Sequence, residues 1–270
     1  MSEGTSLPLE AFAPEEREEL LAQAERYDAL LKRLPAATPG EKVGDGQRWG
    51  ILALNGASGA GQSYVMARVE RLLRRRSIEL PRIYLLGTRP PRPGEGHKNP
   101  YIFVRQTPEG WQDIHHPERI YTPDDIYYFY ESRPGAGNAI LRSDMEAARR
   151  QLMYLETVIP TLLHIKETAI AGFPPWGDAL RIVYLAVPGG REWLARLLNR
   201  EPERLGDVAF RKQIMGRVAS SLADMELAVV HEIPCVLNRH GQGERAAHEV
   251  LAAWGLEEKG GLQYNEEHGG

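Results

Sequence analysis

The sequence predicts an α/β fold in which helices cover a parallel β-sheet. Three observations support this prediction. Between Trp49 and Tyr64, a short apolar run ends in a glycine-rich turn that a helical pattern follows at once. Further apolar runs of strand length alternate with helical patterns along the chain. Of the 270 residues, 42% are hydrophobic and 26% are charged, which is typical of a packed core and excludes global disorder.

The first predicted strand and helix enclose the glycine-rich turn. Residues 50–55 form the strand, and the helix after it places Val65, Val69, Leu72 and Leu73 on one apolar face. The turn, GASGAGQS over 56–63, fits the P-loop pattern G-x-x-x-x-G-K-[ST] except that glutamine stands in place of lysine. The alternative interpretation is a tight strand–helix turn whose small residues only permit close packing.

A P-loop holds a di- or triphosphate with its backbone. Its glycines let successive N–H groups point into one hollow, its lysine reaches the β- and γ-phosphates, and its hydroxyl residue binds magnesium. The candidate phosphate-binding residues are Gly56, Ser58, Gly59, Ala60, Gly61, Gln62 and Ser63. Ser63 is also the candidate magnesium ligand. Gln62 keeps hydrogen-bond donors but has no charge, and loss of one such donor to a developing anion lowers turnover about 10²–10³-fold.

An N-terminal helix is predicted over 14–34, with Pro14 at its first position. Its apolar residues recur at spacings of four and three, at Leu20, Ala24, Tyr27, Leu31 and Leu34. This pattern has two interpretations: a coiled-coil seam of about three heptads for a homodimer or protein partner, or a helix that packs back on the main domain. Proline and glycine predict a linker over 35–47, so 1–47 is separated from a domain over 48–256. The polar tail, 257–270, is predicted to be disordered.

The rest of the chain alternates between predicted strands and helices. Strands are predicted at 82–87, 100–105, 161–166, 181–187 and 231–238, and helices at 143–153, 191–199, 200–225 and 244–254. After the second strand, a proline-stiffened loop carries Arg89 and Arg92. Rigidly held guanidinium groups suit bidentate capture of phosphate or carboxylate, although a surface loop with solvated arginines has the same pattern.

These motifs together resemble the guanylate kinase family. The matching stretches are GASGAG at 56–61, TRPPRPGE at 88–95 and YIFV at 101–104, in the order of that family. The resemblance covers roughly 48–256. It implies the three-layer fold of P-loop NTPases, an acceptor-binding part at about 88–145 and a lid at about 190–225. It also implies ATP and Mg²⁺ as cofactors, and a GMP-like nucleoside monophosphate or related small phosphorylated molecule as acceptor.

The resemblance implies a role for several residues outside the loop. Arg89, Arg92 and Tyr101 would hold the phosphate of the acceptor, and Glu131 would contact its base. In the segment after Glu131, the family's second phosphate-binding tyrosine is replaced by Ile140.

On the donor side, Arg200 and Arg217 match the lid arginines that act on the transferred phosphate, and Asn238 matches the residue beside the adenine. At the end of the predicted strand 161–166, the family has two aspartates where this chain has His164 and Lys166. Since the carboxyl ends of parallel strands face one crevice, Lys166 would emerge beside the loop and partly replace the missing lysine. The alternative is that an unused acidic site has drifted.

Composition limits the partners and the location. The net charge of −4 argues against a general nucleic-acid binder, which needs a basic face. One cysteine, Cys235, allows no intramolecular disulfide and suggests a reducing compartment. No apolar run approaches the roughly 20 residues of a membrane span, and the N-terminus lacks a signal peptide pattern. The expected location is the cytoplasm.

The sequence supports two functions of different classes. The first is a slow or altered guanylate-kinase-like phosphotransferase. The second is a pseudokinase that binds a nucleotide or a phosphorylated protein partner through the former acceptor site. The missing lysine, the replaced aspartates and Ile140 favour the second, whereas the retained arginines Arg89 and Arg92 are compatible with both.

Overall fold

The computed structural model describes residues 7–40, 49–91, 101–133 and 135–256. The predicted disordered tail and Arg92 lie outside these residues. The described helices are α1 (Pro14–Leu31), α2 (Gln62–Arg75), α3 (Arg142–Ala148), α4 (Ile159–Glu167), α5 (Gly190–Leu198), α6 (Val208–Val230) and α7 (Gly243–Ala253). The described strands are β1 (Gly50–Gly56), β2 (Arg82–Ile83), β3 (Leu85–Gly87), β4 (Tyr101–Thr107), β5 (Gly110–Asp113), β6 (Ile120–Tyr121), β7 (Ile126–Arg133), β8 (Ala136–Leu141), β9 (Leu152–Leu155), β10 (Leu180–Ala186) and β11 (Cys235–Leu237).

A parallel sheet with the order β11-β10-β1-β9-β2 forms the centre of the protein. β1 lies in the middle, and its residues Ile51, Leu52, Ala53 and Leu54 are buried. The chain leaves β1 towards β2 on one side and later returns to β10 on the other. The carboxyl end of β1 therefore lies at a topological switch point, where open α/β sheets bind their ligands. The predicted α/β class with a parallel sheet is confirmed.

A second sheet has the order β6-β5-β4-β3-β8-β7 and is antiparallel except between β3 and β4. The strand predicted at 82–87 divides at Tyr84, because residues before it pair in the parallel sheet and residues after it pair in the second sheet. The second sheet thus spans most of the region in which the acceptor-binding part is predicted.

Two predicted elements after the second sheet are wrong. α3 ends at Ala148, and β9 beside β1 begins at Leu152, within the predicted helix 143–153. The predicted strand at 161–166 is the middle of α4, which has Pro160 in its first turn. Ile159, Leu162 and Ile165 recur every third residue and are fully buried, as expected for one face of a helix.

Helix α1 packs on α5 and α6 and belongs to the main core. Leu20 and Tyr27, two residues of the predicted seam, are fully buried. The Tyr27 ring stacks on Trp193 with centroids 4.5 Å apart, and its hydroxyl donates to the carbonyl of Val187. The interpretation in which this helix packs back on the protein is confirmed, and these seam residues are not available to a second chain.

The first part of the predicted linker lies along the edge of the parallel sheet. The N–H of Ala37 donates to the carbonyl of Cys235 at 2.9 Å, and the N–H of Cys235 donates to the carbonyl of Pro35 at 2.8 Å. Residues 35–40 therefore connect α1 to β11 through backbone hydrogen bonds, and one core continues across the predicted boundary at 47. Within the described ranges, no helix combines the length and apolar character that a membrane span needs.

Candidate functional site

The glycine-rich loop lies between β1 and α2, at the carboxyl end of the central strand. Gly59 and Gly61 have φ angles of +87° and +90°, in the left-handed region that favours glycine. A Cβ atom on Gly61 would lie 2.6 Å from Nδ2 of Asn238. No side chain caps the N-terminus of α2, which begins at Gln62. The N–H groups of its first turn have no intrahelical acceptors and are suited to an anion.

Three side-chain donors hold alternate carbonyl groups of this loop. Nε2 of Gln62 donates to the carbonyl of Gly56 at 2.8 Å. Nε1 of Trp193 donates to the carbonyl of Ser58 at 2.9 Å, and Nδ2 of Asn238 donates to that of Ala60 at 2.7 Å. In a trans peptide the C=O and the next N–H point in opposite directions. The bonds to residues 58 and 60 therefore direct the N–H groups of residues 59 and 61 away from Trp193 and Asn238.

Asn238 makes a contact with the loop that the sequence did not predict. It follows β11 and is buried, its N–H donates to the carbonyl of Ala186, and its carbonyl accepts from Arg196. Its side-chain amide supports the loop, and its contact with an adenine stays a prediction. Sequence reasoning did not identify Trp193 as a residue of the site, because a tryptophan in an amphipathic helix is most often a core residue. Only the fold brings it to Ser58.

Helix α6 covers the loop from a third direction. Oγ of Ser221, a buried residue, accepts from the N–H of Ser58 at 2.9 Å. The buried apolar side chains that α6 contributes to the main core are Phe210, Ile214, Val218, Leu222, Met225 and Ala228. In this structure α6 is packed on the sheet, so movement of 190–225 as a lid stays a prediction. Sequence reasoning missed Ser221, because a serine on a helix carries no signal of its own.

Burial of Asp224, one turn after Ser221, raises the pKa of its carboxyl from 3.8 to about 6. We therefore expect Asp224→Asn to stabilise the fold at neutral pH. The Asp224 carboxyl has a higher pKa in the folded than in the unfolded protein, so the folded state keeps its proton at pH values between the two. The stability that this bound proton contributes is lost as pH rises through 6. Asparagine avoids the cost of ionisation, on the order of 1–3 kcal/mol.

Urea unfolding at pH 4.5 and pH 7.5 measures this effect as the stability of Asp224→Asn minus that of the wild type. This difference in stability should be larger at pH 7.5 than at pH 4.5. The exposed Asp124→Asn is the matched control and should show no such growth. Parallel pH profiles for the wild type and Asp224→Asn would contradict the prediction.

The structure brings the two predicted lid arginines to one place. Glu201 accepts a hydrogen bond from Arg204, and this bond, with the charges of Arg204, Arg217 and Arg200, lowers the pKa of the Glu201 carboxyl. Arg200 is exposed, and Arg217 also donates to Gln213 at 3.5 Å. Arg204 is therefore bonded to the Glu201 carboxylate, and the charges of Arg200 and Arg217 act on the same group.

A chain of hydrogen bonds links the end of β1 to Tyr130 of β7. Nδ2 of Asn55 donates to the carbonyl of Thr157 at 2.7 Å, and Oγ1 of Thr157 lies 2.5 Å from the hydroxyl of Tyr130. Burial raises the pKa of Tyr130. The Arg89 guanidinium lies 5.3 Å from the centre of the Tyr101 ring. Tyr130 is thus connected to the strand end from which the loop begins, and Arg89 lies against the Tyr101 ring at the start of β4.

Glu131, the candidate base contact, follows Tyr130 on β7. It is exposed on β7 and pairs with Gly137. Successive strand residues point to opposite faces, so Glu131 lies on the face of Phe129, opposite Tyr130. The contact of Glu131 with a base stays a prediction.

Lys166 lies at the wrong edge of the sheet to replace the missing lysine. It is in the last turn of α4, and its Nζ is 4.0 Å from Oδ1 of Asp178, just before the amino end of β10. The loop follows the carboxyl end of β1, which is parallel to β10. The prediction that Lys166 emerges beside the loop is wrong, because it depended on a strand at 161–166.

Glu156 is a carboxylate that the wrong strand assignment concealed. It follows β9 directly, at the carboxyl end of the strand beside β1, and forms an ion pair of 3.3 Å with Arg82. The apolar run at 152–155, ending in an acidic residue, is the signal that could have revealed it.

Comparison with known proteins gives a distant structural likeness. No family model and no curated protein match the chain. Among solved structures, the guanylate kinase from Anaplasma phagocytophilum is similar over 81% of this chain and 85% of its own, with 12% sequence identity and a TM-score of 0.43.

Proposed function

We propose that this protein binds a nucleotide through its phosphate groups at the loop 56–63. The observation that supports this proposal is the set of three side-chain hydrogen bonds to the loop carbonyls of residues 56, 58 and 60. These bonds hold the loop in a shape in which the N–H groups of Gly59 and Gly61 point away from the supporting side chains. Little reorganisation is then needed when an anion binds, which favours affinity.

Binding in this proposal depends on the backbone and needs no lysine. The N–H groups of Gly59, Gly61 and the first turn of α2 donate to phosphate oxygens, and the positive end of the helix dipole adds to the attraction. Bound ATP with Mg²⁺ would supply a transferable phosphoryl group. Ser63 is exposed in the first turn of α2 and would ligate the ion, and Glu156 is an additional candidate ligand.

Phosphoryl transfer is the first activity that this site could support. Arg89 and Tyr101, together with Arg92, would hold a phosphorylated acceptor, and Arg200 and Arg217 would stabilise the transferred group. Kinases turn over about 1–100 times per second, and loss of one charged donor costs about 10²–10³. We therefore expect a turnover of roughly 0.001–1 per second.

A catalytically inactive binding protein is the second candidate function. The Gln62 amide is neutral and is bonded back to Gly56, and Lys166 lies at the other edge of the sheet. These two observations favour binding without transfer. Arg89 and Tyr101 would then hold a nucleotide or a phosphorylated protein partner.

Calorimetry with ATP, ADP and GMP, each alone, tests the proposal. We expect ATP and ADP to bind at the loop and GMP to bind through Arg89. A coupled assay with ATP, Mg²⁺ and GMP then separates the two candidates, because only the enzyme turns over. If none of the three nucleotides binds, the proposed function is wrong.

Gln62→Lys is expected to tighten ATP binding about 10–100-fold. Lysine adds one charge-assisted hydrogen bond to the β- and γ-phosphates, and such a bond contributes about 1.5–3 kcal/mol. The matched control is Gln106→Lys, which adds the same charge at an exposed position of β4. Equal ATP dissociation constants for the two variants, measured by calorimetry, would contradict the assignment of the loop as the phosphate site.

A further inference from the structure

We propose that the loop takes the diphosphate group of a nucleoside diphosphate, and that Ser221 keeps a third phosphate from binding. This inference rests on the proposed function and specifies its ligand. It depends on the direction in which a phosphate chain would lie along the loop, on the hydrogen bond between Ser58 and Ser221, and on the charges near residues 55–58.

The end of β1 identifies the direction of the phosphate chain. A terminal phosphate has to point towards the acceptor side if it is to be transferred. That side begins at Asn55, whose side chain leads through Thr157 to Tyr130 of the second sheet. The α- and β-phosphates would lie over the first turn of α2, and a third phosphate would lie near residues 55–58.

Ser221 already accepts the hydrogen bond that the N–H of Ser58 would otherwise donate to a third phosphate. Its hydroxyl oxygen lies 2.9 Å from the N–H of Ser58, where a phosphate oxygen would have to lie in order to accept that hydrogen bond. Ser221 is 5% exposed, and its carbonyl lies 3.5 Å from the hydroxyl of Tyr184. Because its neighbours Val218 and Leu222 are buried in the core, the hydroxyl is held in place.

The charges at this end also disfavour a third phosphate. Gln62 stands where a cation would reach the γ-phosphate, and its amide is bonded to Gly56. The carboxyl of Asp224 is one helical turn from Ser221 and is largely ionised at neutral pH. The N–H groups of residue 59, residue 61 and the first turn of α2 remain available to the first two phosphates. The site therefore matches the charge and length of a diphosphate.

Calorimetry on the full chain with ADP, ATP and pyrophosphate, with and without Mg²⁺, tests the inference. We expect ADP to bind about tenfold more tightly than ATP, and pyrophosphate to compete with ADP. In Ser221→Ala the N–H of Ser58 becomes available, so the preference for ADP should shrink about tenfold. Ser220→Ala, an exposed neighbour on the same helix, is the matched control and should keep the wild-type ratio.

The outcomes separate this inference from the proposed function. Tenfold tighter binding of ATP than of ADP by the wild type would overturn the diphosphate inference and leave nucleotide binding intact. An ADP preference that is the same in Ser221→Ala and Ser220→Ala would overturn the role of Ser221. If no phosphate compound binds, both proposals fail. The wild-type ratio decides the ligand class even if Ser221→Ala does not fold, which circular dichroism would reveal.

Discussion

Replacing Trp193 with alanine is expected to destabilise the fold by about 3–5 kcal/mol and to abolish nucleotide binding. The Trp193 side chain is fully buried, and its ring stacks on Tyr27 of α1 at 4.5 Å. Loss of a buried tryptophan removes its transfer free energy and leaves a cavity. The variant also loses the donor to the carbonyl of Ser58, so the N–H of Gly59 is no longer directed into the loop. Urea unfolding and calorimetry with ADP measure the two effects.

A pair of milder variants separates packing from the hydrogen bond to the loop. Trp193→Phe keeps an aromatic ring against Tyr27 and loses only the indole N–H and some volume. Trp254→Phe makes the same change at a fully buried tryptophan whose Nε1 has no hydrogen-bond partner within the described residues. We expect both variants to lose stability, and only Trp193→Phe to weaken ADP binding. Equal ADP affinities would mean that the Trp193 bond does not shape the site.

The Gly61→Ala variant is expected to bind ADP at least 100-fold more weakly than the wild type. At φ +90° an alanine is strained by about 1–2 kcal/mol. Its Cβ would lie 2.6 Å from Nδ2 of Asn238, so this amide has to move and lose its bond to Ala60. The loop therefore loses both the left-handed conformation that glycine allows at position 61 and the hydrogen bond from Asn238. Stability should fall by about 2–3 kcal/mol, with about 1 kcal/mol of this from the lost bond.

The matched control for this glycine is Gly216, in the middle of α6. A Cβ added there meets nothing within 4 Å, and its φ is not in the left-handed range. Gly216→Ala should therefore gain about 0.5–1 kcal/mol of stability and bind ADP as the wild type does. Wild-type ADP affinity in Gly61→Ala would exclude the loop as the phosphate site.

The loop and its flanking elements could be predicted because their signals are local. The strand, the turn and the helix follow one another in the chain, and the spacing of Val65, Val69 and Leu72 alone indicates the buried face of α2. Backbone sterics restrict the left-handed conformation to glycine at positions such as 59 and 61, so the residue types report the turn directly. The α/β class also follows from this local alternation of strands and helices.

The strand beside β1 could not be located from its own residues. Both 152–155 and 161–166 are short apolar runs, and a short apolar run is compatible with a buried strand or a buried helix. Pairing with β1 decides between them, and pairing is a property of the fold. The roles assigned to Lys166 and Glu156 changed with that choice.

The sequence by itself determined the class of the fold, the glycine-rich turn and the absence of lysine at position 62. Only the tertiary structure decided how that turn is held, because Trp193, Ser221 and Asn238 are 135, 163 and 178 residues away from their partners in the loop. Contacts over such distances depend on the order of strands in the sheet and on which helix face is buried. Residue types and local spacing do not encode either of these, and the packing of α1, α5 and α6 around the carboxyl end of β1 supplies both.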